Sequence, residues 1–577
     1  MPSKVVSQRE SSMTPAFRSR SVSANRLKND FYERAKNNQA GDTNGRYYDL
    51  REYTISGKRY YPFMFSKTCK HDPITGFPEA DDIDKVLSCV VDSTPDSLAA
   101  AADSQSDENT RKLVSPHAGL SFTLIGGDPR LVGCKPPLLC TGSKNMFEMC
   151  EVYQRCLLRD VAFSNWENDP KVLSAVAALN AFPPEDQTVS YDITPQTLLR
   201  GESKGLDGMN TELVGPYVSQ MLFAKIDYDN MMFDQKYRNE LDQHNQVTHS
   251  GYLNVQNGGA TNPIVFGRTT YVNNLRCNGS IVHNDALYSF GQRAAITLLK
   301  NGISLTPVND IRADKSKPYP VGNFVSIGPP NLLSTIADAA GICLYTAFNQ
   351  KWCMNMKIRP EVMASIIGLV QKGTLDKSFP GLEDLENLLN GPAAATISDA
   401  RAKNQSLDPN NPDYDTYNLD CLYPEGSPVH PTYPAGHATV AGATVTIIKA
   451  MMDTTEENSE GVLSERKWSD TGLPPVISSE DGETLESYTK DDSSMMTING
   501  ELNKLVSNIS LGRDAAGVHY RCDGDCGKKA GEEVAINLLR DITACYYETE
   551  SGSFLGYTLI KFDGTPVKIA NGIVTEL

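Results

Sequence analysis

The hydrophobic pattern along the chain is helical, and it becomes denser toward the C-terminus. Residues 145–163, NMFEMCEVYQRCLLRDVAF, put Phe147, Cys150, Tyr153, Cys156 and Leu157 on one stripe at three- and four-residue spacing, which predicts an amphipathic helix. Residues 172–182 predict another, stopped by Pro183-Pro184. Gly215-Pro216 predicts a helix beginning at Pro216, since proline suits the first helical position. Residues 227–278 are polar and rich in Asn and Gly, and read as loops. Three amphipathic segments follow at 286–302, 331–352 and 359–373, then an acidic, Pro- and Asn-rich connector and a helix from Gly436. A hydrophilic stretch, 453–496, reads as an excursion over the surface, and the next helix carries Leu502, Leu505, Val506 and Ile509 on one face. Asp563-Gly564 marks a small hairpin within 557–569. The pattern predicts a mainly α fold in three parts: a flexible arm over 1–45, an N-terminal helical region over 46–284, and a C-terminal helical domain over 285–577. Residues 46–144, rich in Pro, Gly, Asp and aromatic residues, are expected to be irregular and wrapped over a core.

The chain has 577 residues, enough for one to three domains. Its net charge of −17 argues against nucleic-acid binding and makes any cluster of basic residues informative. No apolar run reaches the roughly 18 residues of a membrane span; AGATVTIIKAMM, 441–452, is shorter and interrupted by Lys449. The N-terminus is basic but lacks the apolar core of a secretory signal, so a cytoplasmic location is the default expectation. Thirteen cysteines are an odd number without zinc-like spacing, and mostly free, buried thiols are expected. Cys522 and Cys526 are a candidate staple for the turn at Asp523. The acidic residues of 227–278 are candidates for a structural calcium, but they lack the regular ligand alternation of a calcium loop and read first as solvated.

Three pieces of sequence carry candidate chemistry. In QKWCMNMKIRPE, Lys351 ends a long helix, and Arg359 is pushed out of helical geometry by Pro360, which sends both cations toward one junction. In HPTYPAGHATVAGATV, a tight turn delivers His437 to the start of a helix, where the free N–H groups at Gly436 favour an anion. Ala438, Ala441, Gly442 and Ala443 permit close packing behind it. In LGRDAAGVHYRCD, Arg513 precedes His519, and Asp523 lies one helical turn beyond, within reach of one ring nitrogen. Only eight histidines occur in the chain, and His430, His437 and His519 all fall in these pieces. Cations, a helix N-terminus and histidines together suit a tetrahedral oxyanion.

In order and spacing the pieces resemble the signature of type 2 phosphatidic-acid-phosphatase-like acid phosphatases and vanadium-dependent haloperoxidases. Seven residues separate Lys351 from Arg359, and His430 precedes the turn, both more like red-algal and cyanobacterial bromoperoxidases. CLLRDVAFSNW and LVGPYVSQMLF also look like the N-terminal half of those enzymes, so the resemblance covers the chain from about residue 45. It implies two four-helix bundles with a vanadate site in the C-terminal domain. His519 would be the axial ligand to the metal. Lys351, Arg359, Arg513 and the Gly436 backbone would hold the equatorial oxygens. His437 would act as acid–base, with His430 as a neighbouring proton carrier and Asp523 orienting His519. The implied activity is oxidation of bromide, or of iodide or chloride, by hydrogen peroxide, with the resulting oxidant halogenating small organic acceptors. Gln350 is a candidate for tuning halide preference. The implied assembly is a dimer-based homo-oligomer, in which a dodecamer is one size.

The sequence departs from the family at one point: Ala435 stands where the family has serine, which removes a hydroxyl donor to the anion. Two alternatives stand beside this reading. One is a soluble acid phosphatase with His519 as nucleophile and His437 as the acid for the leaving group. The other is an anion-binding or structural protein without catalysis.

Overall fold

A computed structural model of the chain describes residues 49–92, 94–121, 123, 125–228, 231–306, 323–546 and 554–577. The arm expected over 1–45 lies outside them. With 45% of the described residues in helix and 12% in strand, the fold is mainly α, as the periodicity predicted.

Among the described residues the helices are, in chain order, α1 (Ala80–Asp92), α2 (Pro95–Asp103), α3 (Ser143–Leu157), α4 (Pro170–Leu179), α5 (His249–Gln256), α6 (Leu275–Ser280) and α7 (Ser289–Lys300). There follow α8 (Pro329–Phe348), α9 (Pro360–Gln371), α10 (Leu382–Asn390), α11 (Ala394–Leu407), α12 (Gly436–Met451), α13 (Ile498–Ala515) and α14 (Arg521–Cys545). Helices α8, α12, α13 and α14 pack on one another as a four-helix group around the larger core, which runs from Leu332 and Ile336 through Val445 and Ile448 to Leu502, Val534 and Leu538. A second group, α3, α4, α9, α10 and α11, surrounds Phe147, Trp166, Met363, Ile367 and Leu389. Residues on both sides of position 285 enter each core.

Helix α12 meets α14 backbone to backbone. A Cβ added at Gly531 would lie 2.1 Å from the Thr439 carbonyl oxygen, one at Gly527 2.7 Å from that of Ala435, and one at Gly442 2.4 Å from that of Lys528. The small residues of α12 thus have glycine counterparts on α14, and this contact fixes the turn before α12 against the start of α14. Helix α8 continues into a π-helical turn, Asn349–Asn355, closed by Met356 at φ +44°. Such wide turns frequently mark functional positions. The N-terminal segment braces it: Phe65 packs edge-on against Trp352 at 5.5 Å, and Trp352 Nε1 donates to the Val114 carbonyl at 3.1 Å. Counted through that turn, Pro329–Asn355 is long and apolar enough to cross a membrane, but half of its apolar window is buried, and it packs on α12 and α14.

Several elements differ from expectation. No α-helix starts at Pro216; a 3-10 turn forms at Gln220–Leu222. Tertiary partners take its backbone groups, with the Ser219 N–H donating to Asn508 and the Gln220 N–H to the Glu501 carboxylate, both at 2.8 Å. The predicted loops over 227–278 contain short paired strands and α5 and α6, and the connector after α9 contains α10 and α11. Residues 80–103, expected to be irregular, form α1 and α2. The excursion over 453–496 forms two small hairpins, but Trp468 and Met496 within it are buried in the larger core. The C-terminal hairpin is the first part of a three-stranded meander, Tyr557–Ile560, Pro566–Ala570 and Ile573–Glu576. No disulfide joins Cys522 to Cys526, so they do not staple the turn.

Candidate anion-binding site

Arg359 is the hub. It is extended before Pro360, as the proline requires, and almost fully buried. Its Nε and Nη2 donate to the His430 carbonyl at 3.1 and 2.8 Å, and Nη1 donates to the Val518 carbonyl at 2.8 Å. Nη2 also meets His430 Nδ1 at 3.0 Å, and Nη1 meets His519 Nε2 at 3.0 Å. Lys351, carried in by the π-turn, donates to the carbonyls of Pro431 and Thr432, each at 2.7 Å. Arg513, near the end of α13, donates through Nη1 to the Val282 carbonyl at 2.7 Å and the Tyr423 hydroxyl at 3.3 Å.

His519 lies two residues before α14 rather than on a helix, and Asp523 belongs to the first turn of that helix. The Asp523 carboxylate accepts from His519 Nδ1 at 2.8 Å, from the Tyr520 N–H at 3.1 Å and from the Thr432 hydroxyl. Nδ1 therefore carries the proton, and Nε2 presents a lone pair. His437 points its Nε2 at Asp285 at 2.8 Å. Ala435 precedes α12 without a side-chain cap, its N–H donating to the Asp523 carbonyl at 2.8 Å. Gln350 is held by the Val132 carbonyl at 3.1 Å and by Asn355 at 3.3 Å, so both of its polar ends are engaged beside Lys351.

The electrostatics are those of crowded positive charge. Burial and the neighbouring Arg359 hold Lys351 well below its usual range, only partly offset by Asp523. Burial, Arg359, Lys351 and Arg513 depress His519 in the same way; burial, Lys351 and Arg359 depress His430. His437 is lowered by burial and Arg513, with Asp285 acting in the other direction. Among the described residues Lys351, Arg359 and Arg513 make no ion pair with a carboxylate, and Arg513 Nε is buried without a partner. Buried charge is costly unless compensated. A Cβ built on Gly436 meets nothing nearer than Leu344 at 3.9 Å, which leaves room at the N-terminus of α12. A lone pair, three cations without an ion-paired carboxylate among the described residues and a helix N-terminus fit a tetrahedral oxyanion able to accept a nitrogen ligand.

No protein-family model matches the chain. It is 28% identical to the vanadium-dependent bromoperoxidase of Ascophyllum nodosum over 517 residues, 87% of each chain. It is also 28% identical to that of Corallina pilulifera over 510 residues, 78% of each. The solved homohexameric vanadate-dependent bromoperoxidase of Ascophyllum nodosum superposes with a TM-score of 0.76 at 24% identity, covering 90% of this chain and 86% of that one. This chain is similar in sequence and fold to the vanadium-dependent bromoperoxidases. That likeness agrees with the resemblance seen in the motifs.

Against this bromoperoxidase-like background, the three sequence pieces meet, and all of the named cations and histidines fall in one cluster. Sequence reasoning missed Asp285, Thr432 and Tyr423. Thr432 sits inside the HPTYPAGH piece and was visible there. Asp285 and Tyr423 lie outside every motif, and only the packing of the turn after α6 and of the 421–426 loop brings them in. Of the calcium candidates in 227–278, Asp242 places a ligand atom within 4.8 Å of others on His244 and on Asp420, which lies outside that segment. They are already paired, Asp242 with Arg276 at 2.9 Å and His244 with Asp420 at 3.0 Å.

Proposed function

We propose that the chain is a vanadate-dependent bromide peroxidase. It oxidises bromide, with iodide and chloride as further candidate halides, by means of hydrogen peroxide, and the hypohalous-acid equivalent halogenates small organic acceptors. The observation that carries this reading is the gathering of three buried cations, without an ion-paired carboxylate among the described residues, around the His519 lone pair.

Bound vanadate supplies a Lewis-acidic centre that activates peroxide. The residues of the chain do the rest. His519 Nε2 would be the metal ligand, kept unprotonated by the Nδ1–H···Asp523 bond. Lys351, Arg359, Arg513 and the Gly436 N–H would hold the negative oxygens of the group, and Lys351 would also supply positive charge toward the peroxide. His437, whose depressed pKa keeps it neutral near pH 7, takes up and returns a proton at the nitrogen that Asp285 does not engage. Asp285, itself held ionised by His437 despite its burial, stabilises the imidazolium that forms. His430, half-buried against Arg359, passes protons between site and surface. Gln350 tunes halide preference through the position it imposes on Lys351. By likeness to the hexameric relative, the assembly is a dimer-based homo-oligomer, with a hexamer placed ahead of a dodecamer.

The test is bromination of a phenolic dye by peroxide and bromide, using protein stripped of metal and then given orthovanadate. Activity restored by vanadate and suppressed by phosphate is the expected result. No bromination, with vanadate-inhibited hydrolysis of an aryl phosphate, would replace the reading with the phosphatase.

A further inference from the structure

The turn after α6 serves two site residues at once. The Val282 carbonyl accepts from Arg513 at 2.7 Å, and three residues later Asp285 contacts His437 at 2.8 Å. Between them stands His283, its side chain 4% exposed, with a carboxylate on each ring nitrogen: Glu240 on Nδ1 at 2.5 Å and Glu425 on Nε2 at 2.7 Å. Two ionised acceptors on one imidazole require both nitrogens to donate, which is the imidazolium form. Burial alone would lower its pKa, but the two carboxylates raise it above the ordinary value.

This ring lies flat on Tyr423, with centroids 3.7 Å apart and planes 10° apart. The Tyr423 hydroxyl donates to the Gly279 carbonyl at 2.8 Å and accepts from Arg513, whose guanidinium lies 5.0 Å from the centre of the Tyr423 ring. Among the described residues Arg513 makes no ion pair with a carboxylate; Asp285 attracts it only from beyond ion-pair distance, and the site's other cations repel it. Its position therefore depends on the Val282 carbonyl and on Tyr423, and His283 sits against both.

We infer that His283, clamped by Glu240 and Glu425 and stacked on Tyr423, is a positioning residue that sets Arg513 and Asp285 in the anion site. It touches neither the anion nor the reacting atoms. The inference rests on the vanadate reading above. Removing the imidazole frees the turn, uncovers one face of Tyr423 and leaves the buried Glu240 carboxylate and the partly buried Glu425 carboxylate without their common partner.

The experiment is calorimetric titration of orthovanadate into the metal-free full-length protein, with thermal unfolding measured alongside. His283→Ala is expected to weaken vanadate binding roughly tenfold, the scale of an outer-shell loss. In an Arg513→Lys background the same substitution is expected to change affinity by less than about twofold, because the group it acts through is already altered. Unchanged vanadate affinity in folded His283→Ala, even with a lower Tm, would show a purely structural residue and overturn the inference. So would an equal loss in both backgrounds. If His283→Ala does not fold, His283→Gln, which keeps one donor and most of the volume, is judged by the same two comparisons. Absence of vanadate binding by the unaltered chain would overturn the functional reading and this inference with it, whereas a failure confined to the variants would overturn the inference alone.

Discussion

Replacing Asp523 with Asn should separate two anions that the unaltered site binds by the same cations. The fully buried carboxylate accepts from His519 Nδ1, the Tyr520 N–H and the Thr432 hydroxyl. A hydrogen bond to an ionised group contributes about 1.5–3 kcal/mol, and a neutral acceptor about half as much. Three weakened bonds therefore lower stability by roughly 2–4 kcal/mol. The amide also stops holding the proton firmly on Nδ1, so Nε2 becomes a poorer ligand. Vanadate affinity should fall about 10–100-fold, the usual result of disturbing a ligand's partner. Inorganic phosphate, in contrast, needs no bond to Nε2 and meets a pocket with one negative charge fewer. Its affinity should hold or rise. Calorimetric titration of both anions into Asp523→Asn and the unaltered protein reads the split directly. A parallel loss of vanadate and phosphate would refute the claim that Asp523 acts through the ligand nitrogen of His519.

Four further outcomes are expected. Asp285→Asn removes the group that offsets burial at His437, so the alkaline-rising limb of the peroxide-dependent rate should move to lower pH and its plateau should drop; an unmoved limb in a pH–rate profile would exclude His437 as the titrating base. Ala435→Ser restores a hydroxyl at the residue that precedes α12, and direct titration should show tighter vanadate binding by a factor of several, about 1 kcal/mol for one added hydrogen bond. The raised pKa of His283 adds stability that is complete below its unfolded value of about 6.5 and is lost as pH climbs through the folded value; Tm should therefore decline across that window, and His283→Gln should flatten the decline. Trp468→Ala should destabilise by about 3–5 kcal/mol in denaturant unfolding, since this side chain is buried in the larger core although it belongs to a surface excursion.

Periodicity and local chemistry were enough to specify the long helices and the chemical character of the site. Leu502, Leu505, Val506 and Ile509 mark α13 because their spacing has one physical reading, and Arg359 is extended because Pro360 forbids it the helix. Lys351, Arg359, His437, Arg513 and His519 could be picked out because basic residues are conspicuous in an acidic chain and because each sits beside a helix boundary. What needed the tertiary structure were features set by distant partners. Pro216 starts no helix because Asn508 and Glu501, nearly 300 positions away, capture the backbone groups a helix would use. α11 mixes small and polar residues around its circumference and leaves no stripe to read. Gly527 and Gly531 acquire meaning only when α12 lies against them. Asp285 and Tyr423 belong to no motif, and their roles follow from the turn and loop that packing places beside His437 and Arg513. Local sequence determines which groups can bind an anion; long-range packing decides which of them face it and what holds them there.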